Sequence, residues 1–155
     1  MKIMEFLSKN AILTDLKSTK KEDVIRELVD ALIAGGCIEK NNRNKLIEAL
    51  MERESLGSTA IGQGIAIPHA KTECINALVG AFGLSKKGVD FDSLDGEPVY
   101  IFFLLVAPQD SAGSHLKALA RISRLFKDKY FRDSLRGCED EKCIIRIISQ
   151  EDEKF

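Results

Sequence analysis

Apolar residues recur every three or four positions in the first third of the chain, which predicts an amphipathic helix. They form a single stripe made of Val24, Leu28, Ala31 and Leu32. We expect this helix to open at Thr19–Glu22, which has the S/T-x-x-E pattern of a capping box, and to end at Gly35 and Gly36. A second helix is predicted from about Asn41, a residue type that caps helices, to Glu54.

β-Branched and apolar runs predict strands elsewhere in the chain. The predicted strands are Ala11–Leu16, a short segment ending at Pro68, Ala77–Leu84 and Val99–Val106. The last of these is apolar on both faces, so it is expected at the centre of a sheet that has helices above and below it. The intervening Ser85–Pro98 is polar and is predicted to be a hairpin excursion. Helical patterns then follow at Leu116–Phe126, Tyr130–Leu135 and Glu139–Ser149.

Length and composition indicate one ordinary globular domain. The chain has 155 residues, 45% hydrophobic and 30% charged, with a formal net charge of −1. This charge balance gives no electrostatic basis for binding nucleic acid or a membrane surface. The longest apolar run, Val99–Ala107, is far shorter than the ~20 residues of a membrane-spanning helix, and the N-terminus lacks the pattern of a signal peptide. We therefore expect a cytoplasmic protein that does not insert into a membrane.

The cysteines and glycines give no sign of a metal or nucleotide site. The four cysteines contain no C-x-x-C pair and have no zinc-type spacing to a histidine; they are Cys37, Cys74, Cys138 and Cys143. In a reducing compartment they are expected to be thiols, mostly buried. The G-x-G at Gly62 and Gly64 lacks a third glycine and precedes a strand, so it does not indicate a dinucleotide site. We predict neither a cofactor nor a metal.

His69 is the first candidate for a reactive side chain. It follows the short segment that contains Ile65 and Ile67, and Pro68 cannot donate to a central strand ladder. The strand is therefore expected to stop at Pro68 and to present His69 at its end, beside a cleft. A neutral imidazole is nucleophilic and leaves readily, so it suits transfer of a covalent group. The alternative is a structural histidine that only makes a hydrogen bond.

His115, the second histidine, occurs where a loop opens into a predicted helix. It shares the inward stripe with Leu119, Ile122 and Phe126, so it should face the protein body. Ser111 or Ser114 is expected to cap this helix, and the N–H groups of Leu116 and Lys117 are expected among the unpaired donors that make a helix start suitable for an anion such as phosphate. The alternative is a capping histidine at the edge of the core.

Four segments resemble one known family over nearly the whole chain. They are R-E-S-L-G-S-T from Arg53, G-Q-G-I-A-I-P-H-A-K from Gly62, G-V-D-F-D-S-L-D-G-E-P-V from Gly88 and H-L-K-A-L-A from His115. Together they are similar to the enzyme IIA domain of the fructose and mannitol class of the bacterial sugar phosphotransferase system. The fructose-specific members look most similar, and the nitrogen-regulatory branch comes next.

The resemblance implies a three-layer α/β/α single domain with a mixed central sheet, spanning residues 1–155 as one enzyme IIA domain of type 2. It implies that His69 is the phosphoacceptor and that His115 and Arg53 stabilise the phosphoryl group. For Arg53 the residues alone equally suit a surface group at a helix C-terminus. The implied partners are separate proteins, the phosphocarrier protein HPr as donor and a cysteine of a IIB domain as acceptor.

The role implied first is that of a phosphocarrier for uptake of a fructose-type sugar. A regulatory protein of the nitrogen branch, whose His69 phosphorylation controls binding to other proteins, is the alternative. A histidine–metal hydrolase is a more distant third hypothesis.

Overall fold

The computed structural model describes the whole chain, Met1–Phe155, as one mixed sheet between two layers of helices. The strands are β1 (Leu7–Leu13), β2 (Ala60–Gly62), β3 (Ile65–Ala66), β4 (His69–Thr72), β5 (Val79–Val89) and β6 (Val99–Pro108). The helices are α1 (Lys21–Ala34), α2 (Arg43–Ser55), α3 (Ala112–Phe126), α4 (Lys129–Arg136) and α5 (Glu141–Lys154), and 3₁₀ turns form at Ile3–Glu5 and Lys40–Asn42. None of these helices combines the length and the apolar character needed to cross a bilayer.

The six strands have the order β1-β5-β6-β3-β2, and β4 also pairs with β6. Strand β6 pairs antiparallel with β5 and parallel with β3 and β4, while β1 lies parallel to β5. All of β6 is buried except Tyr100, which is half-buried. The predicted mixed sheet with this strand at its centre is therefore confirmed.

Two apolar clusters fill the space on opposite faces of the sheet. One contains 22 buried residues and joins the sheet to α1 and α2, including Leu46, Ile47 and Leu50 of α2. The other contains 20 and joins the sheet to α3, α4 and α5. Each helix buries one apolar stripe, and burial of such stripes is the main driving force for this layering. The predicted three-layer α/β/α architecture is confirmed.

Several predicted boundaries were wrong. Strand β1 begins at Leu7 and ends at Leu13, not at Leu16, and β5 continues to Val89 so that only Asp90–Pro98 forms a link. The capping box at Thr19–Glu22 does not form, because α1 begins at Lys21 and no side chain caps it. Lys20 instead forms a bridge to Asp90, so a tertiary contact fixes the start of α1 where a local cap was expected.

The expectation that all four cysteines are free thiols was wrong for one pair. Cys138 and Cys143 form a disulfide across the turn between α4 and α5, with 5.6 Å between their Cα atoms. The turn brings together two residues whose spacing does not match a familiar motif. Cys37 and Cys74 are free.

Candidate functional site

A break in the sheet edge determines where His69 lies. Strands β3 and β4 pair with the same strand, β6, in one register, Ile65 opposite Ile101 and His69 opposite Leu105. Between them, Ile67 is not paired with β6, while the carbonyl of Pro68 accepts the N–H of Leu105 at 2.9 Å. The short strand therefore ends before Pro68, and a further strand that the sequence did not predict begins at His69. His69 is half-buried at the first position of β4.

The hydrogen bond of the His69 ring selects its tautomer. Nδ1 lies 2.7 Å from the carbonyl oxygen of Ile67. Since a carbonyl can only accept, Nδ1 carries the proton and a neutral ring has its lone pair on Nε2. Burial lowers the pKa of His69 below its ordinary value, and the charge of Arg53 also lowers it, while the bond to Ile67 and the charge of Glu54 raise it. The ring is therefore a neutral nucleophile at pH 7.

His115 lies in the first turn of α3 and packs against His69. The ring centroids are 5.4 Å apart with an interplanar angle of 72°. His115 is only 6% exposed, and its Nε2 is buried without a hydrogen-bond partner. Burial lowers its pKa to about 4, with smaller contributions from the charges of His69 and Lys71. An unpartnered buried ring nitrogen beside a nucleophile is the kind of group that a bound oxygen atom would satisfy.

The start of α3 differs from the prediction. The helix begins at Ala112, and the N–H of His115 already donates to the carbonyl of Ser111 at 2.9 Å. The N–H groups of Leu116 and Lys117 therefore lie inside the helix. The unpaired first-turn donors belong to residues 112–114. Ser111 takes the N-cap position, but its hydroxyl donates to the carbonyl of Pro108 at 2.7 Å and does not cap the helix.

Arg53 belongs to the last turn of α2, close enough to His69 for its charge to lower the pKa of the imidazole. Its Nη1 donates to the carbonyl oxygen of Gly57 at 2.9 Å. This bond ties the arginine to the loop that follows α2. The structure thus brings all three predicted site residues, Arg53, His69 and His115, into one region.

Sequence reasoning missed Glu54, a buried carboxylate beside this region. The residue is 6% exposed and accepts hydrogen bonds from both the N–H and the hydroxyl of Thr59. Lys21 forms an ion pair with it at 3.0 Å. Its only sequence signal is its place on the inward stripe of α2, four residues after Leu50, where a carboxylate needs a partner.

The glycine-rich composition of Ser55–Gly64 predicts a loop before His69, but the end of this segment forms a hairpin with β3. Gln63 and Gly64 connect β2 to β3 with φ angles of 60° and 79°, a backbone that glycine adopts without strain. The N–H of Gln63 donates to the carboxylate of Asp95 at 3.0 Å, which fixes the hairpin tip. Histidine, cysteine and carboxylate side chains nowhere form a group of three that could hold a metal ion.

Fold and site together define a small three-layer α/β protein in which a nucleophilic imidazole and a second neutral imidazole meet where α3 begins. Residues 5–151 match the family model described as "Phosphoenolpyruvate-dependent sugar phosphotransferase system, EIIA 2". The chain therefore belongs to the enzyme IIA type 2 family of the sugar phosphotransferase system, a family of phosphotransfer components.

Relatives come from both functional branches. A fructose-specific EIIABC component of Bacillus subtilis is 45% identical over 98% of this chain, which spans only 24% of that protein's length. A nitrogen regulatory protein of Bradyrhizobium diazoefficiens is 39% identical over 96% of this chain and 95% of its own. These matches establish the family but do not distinguish its fructose-specific branch from its nitrogen regulatory branch.

Solved structures share the fold. The crystal structure of nitrogen regulatory protein IIA-Ntr from Neisseria meningitidis superposes with a TM-score of 0.84 at 32% identity, covering 94% of this chain and 98% of that one. The mannitol IIA protein of Escherichia coli, solved in complex with phosphorylated enzyme IIB, has a TM-score of 0.75 over 92% of this chain and 96% of its own. At 20% identity this second match demonstrates the fold alone.

Proposed function

We propose that the protein, acting as a single IIA domain over residues 1–155, carries a phosphoryl group on Nε2 of His69. The observation that supports this most directly is the 2.7 Å hydrogen bond that fixes the proton on Nδ1 and leaves the lone pair on Nε2. Nε2 attacks the phosphorus of the phosphohistidine of HPr. A new N–P bond forms while the N–P bond of the donor breaks, and the donor imidazole leaves with the electron pair.

His115 and Arg53 stabilise the transferring group in this proposal. Charge in such a loose transition state resides on three phosphoryl oxygens, so donors must surround them. The buried, unpartnered Nε2 of His115 belongs to the ring that packs against His69, and it donates an N–H to one oxygen in the tautomer protonated there. The guanidinium of Arg53 supplies a second, charged contact. Neither role requires a metal or a cofactor.

Exposed leucines beside these residues suit a surface that meets both donor and acceptor. Leu56 is 81% exposed in the loop that binds Arg53, and Leu116 is 67% exposed directly after His115. Such apolar side chains, rimmed by polar groups, are typical of protein interfaces. HPr and the IIB domain use this same surface in turn, since both must reach His69, and a cysteine of the IIB domain takes the phosphoryl group onward in the cytoplasm.

Transport of a fructose-type sugar is the specific role we propose. It is supported by the 45% identity to a fructose-specific component. Regulation is the second candidate, supported by the nitrogen regulatory protein that this chain matches almost end to end. The two roles are separated by the acceptor. A carrier passes its phosphoryl group to a fructose-type IIB domain, whereas a regulatory protein retains it.

Labelling tests the proposal. Incubation with labelled phosphoenolpyruvate, enzyme I and HPr should add one acid-labile phosphoryl group, and His69→Gln should abolish it because no nucleophilic nitrogen remains at position 69. His115→Gln serves as a matched control in the same site; it should still become labelled but pass the group to a IIB domain more slowly. Undiminished labelling of His69→Gln would exclude His69 as the acceptor.

A further inference from the structure

We infer that Glu54 is a positioning residue for His69, acting through Thr59 and Ile67. The part of this inference that concerns phosphoryl transfer rests on the proposed function. Its structural part concerns only how the imidazole is held. Glu54 makes no hydrogen bond to either histidine, so apart from the effect of its charge on the pKa of His69 it acts on the ring through the backbone between them.

The connection consists of three consecutive hydrogen-bonded steps. Glu54 accepts the N–H of Thr59 at 3.2 Å and also its hydroxyl. The carbonyl of Thr59 accepts the N–H of Ile67 at 3.1 Å. The carbonyl of Ile67 accepts Nδ1–H of His69 at 2.7 Å. Each bond fixes the segment that carries the next acceptor, so the carboxylate on α2 sets the position of the carbonyl that orients the imidazole.

The break in the sheet edge makes this connection necessary. Strand β6 pairs with Ala66 and with His69, and between them only the carbonyl of Pro68 bonds to it, accepting the N–H of Leu105 at 2.9 Å. The N–H of Ile67 bonds instead to the carbonyl of Thr59, the residue that precedes β2. A carbonyl in such a segment needs support from elsewhere if it is to hold a ring to within a fraction of an ångström.

Burial makes Glu54 a firm anchor. Its side chain is 2% exposed, and its counter-ion Lys21, 17% exposed, also contacts Asp92 at 3.3 Å. A buried carboxylate persists only when it is paired and hydrogen-bonded, and removing it leaves donors unsatisfied. The charged groups that face His69 are Arg53 and Glu54 from α2. His115 of α3 packs on its ring, and Lys71 lies on the same strand.

Asp152 offers a matched control far from the site. It is 1% exposed, accepts the N–H groups of Ile3 and Met4 at 3.0 Å each, and pairs with Arg121 at 3.1 Å. Like Glu54, it is therefore a buried carboxylate that satisfies two donors and one basic side chain. It joins α5, near the C-terminus, to Ile3 and Met4 at the N-terminus and makes no hydrogen bond to the segments that hold His69.

The experiment compares Glu54→Leu with Asp152→Leu, and includes Glu54→Gln as the milder variant that retains one acceptor oxygen. Urea unfolding measures the stability of each. ¹⁵N NMR of the His69 ring reports its tautomer and pKa without any phosphoryl transfer, and the rate of uptake from phosphorylated HPr reports function.

We expect both leucine variants to lose comparable stability, because each leaves two donors without their acceptor and removes a carboxylate partner from one basic side chain. Only Glu54→Leu should mix the two tautomers of His69 and lower its pKa. It should also slow uptake on the order of tenfold, mainly in kcat. Glu54→Gln should show the same changes to a smaller extent. Asp152→Leu should leave the ring and the rate unchanged.

Two results would overturn the inference: an unaltered His69 ring in both Glu54 variants, or equal changes in the ring and rate for Glu54→Leu and Asp152→Leu. Failure of the wild-type protein to accept a phosphoryl group would instead refute the proposed function, and the NMR comparison would still decide the role of Glu54.

Discussion

His69 and His115 are the same residue type, 5.4 Å apart, and their surroundings give them different capacities. His69 is half-buried with one ring nitrogen bound to Ile67, which leaves the other free to attack. His115 is almost fully buried, with a pKa of about 4 and no partner on Nε2. Two neutral rings avoid the repulsion that two imidazolium groups would suffer. One can therefore accept a group while the other remains a neutral hydrogen-bond donor.

The depressed pKa of His115 predicts a pH-dependent stability. In the unfolded chain His115 binds a proton below about pH 6.5, whereas in the folded protein it does so only below about pH 4. The free energy of unfolding therefore falls as the pH drops through this window. This contribution is fully present above pH 6.5. His115→Gln cannot take up the proton. Between pH 7 and pH 5 it should lose about 2 kcal/mol less than the wild type in urea unfolding. Equal losses in the two proteins would contradict the low pKa.

The sequence alone predicted where both histidines of the candidate site lie in the fold. The positions of His69 and His115 at element ends, with an inward face, follow from Pro68 and from the helical stripe. The tautomer and the role of Glu54 could not be predicted, because both depend on which carbonyl or amide comes within 3 Å after folding. Likewise, nothing in the spacing of Cys138 and Cys143 indicated that a turn would join them.

Among the elements, the end of α2 contributes most to the site. Its last turn carries Arg53, and the residue that follows, Glu54, anchors the next loop. A basic side chain at a helix C-terminus also compensates the helix dipole, so position alone does not separate a structural role for Arg53 from a role in transfer. The hydrogen bond to Gly57 is compatible with both.

Arg53→Lys distinguishes these roles. Lysine retains the charge that interacts with the helix dipole, so the melting temperature should hardly change. An ammonium group cannot reproduce a planar two-pronged contact with phosphoryl oxygens, so uptake from HPr should slow by about 2–4 kcal/mol of transition-state stabilisation. The measurements are the uptake rate and thermal unfolding of the same preparation. A normal uptake rate would assign Arg53 to the helix end alone.

Elements with strong periodicity were predicted well, and those set by tertiary contacts were not. Helix α3 follows from its helical period, and strand β6 follows from a long apolar run rich in β-branched and aromatic residues. The observed bounds of β1 differ from the predicted ones because the register of this strand depends on its pairing with β5. Helix α1 likewise starts where Lys20 bridges to Asp90. The sequence predicts a loop where the hairpin at Gln63 and Gly64 forms, because β2 and β3 are too short to show alternation of apolar and polar residues.

For the whole molecule, the architecture places the site where three layers meet. The nucleophile comes from an edge of the sheet, Arg53 from the layer formed by α1 and α2, and His115 from the layer on the opposite face. The active arrangement therefore depends on both layers being packed against the sheet. The interrupted edge leaves His69 accessible to another protein, whereas a continuous strand deeper in the sheet would bury it.

Neutral His69 is proposed to accept the phosphoryl group on Nε2. NMR of the phosphorylated protein with ¹⁵N-labelled histidine shows which ring nitrogen carries the group. After incubation with phosphoenolpyruvate, enzyme I and HPr, we expect a single ³¹P signal coupled to Nε2 of His69, with Nδ1 still protonated and the His115 ring unmodified. A ³¹P signal coupled to Nδ1 of His69, or to either nitrogen of His115, would contradict it.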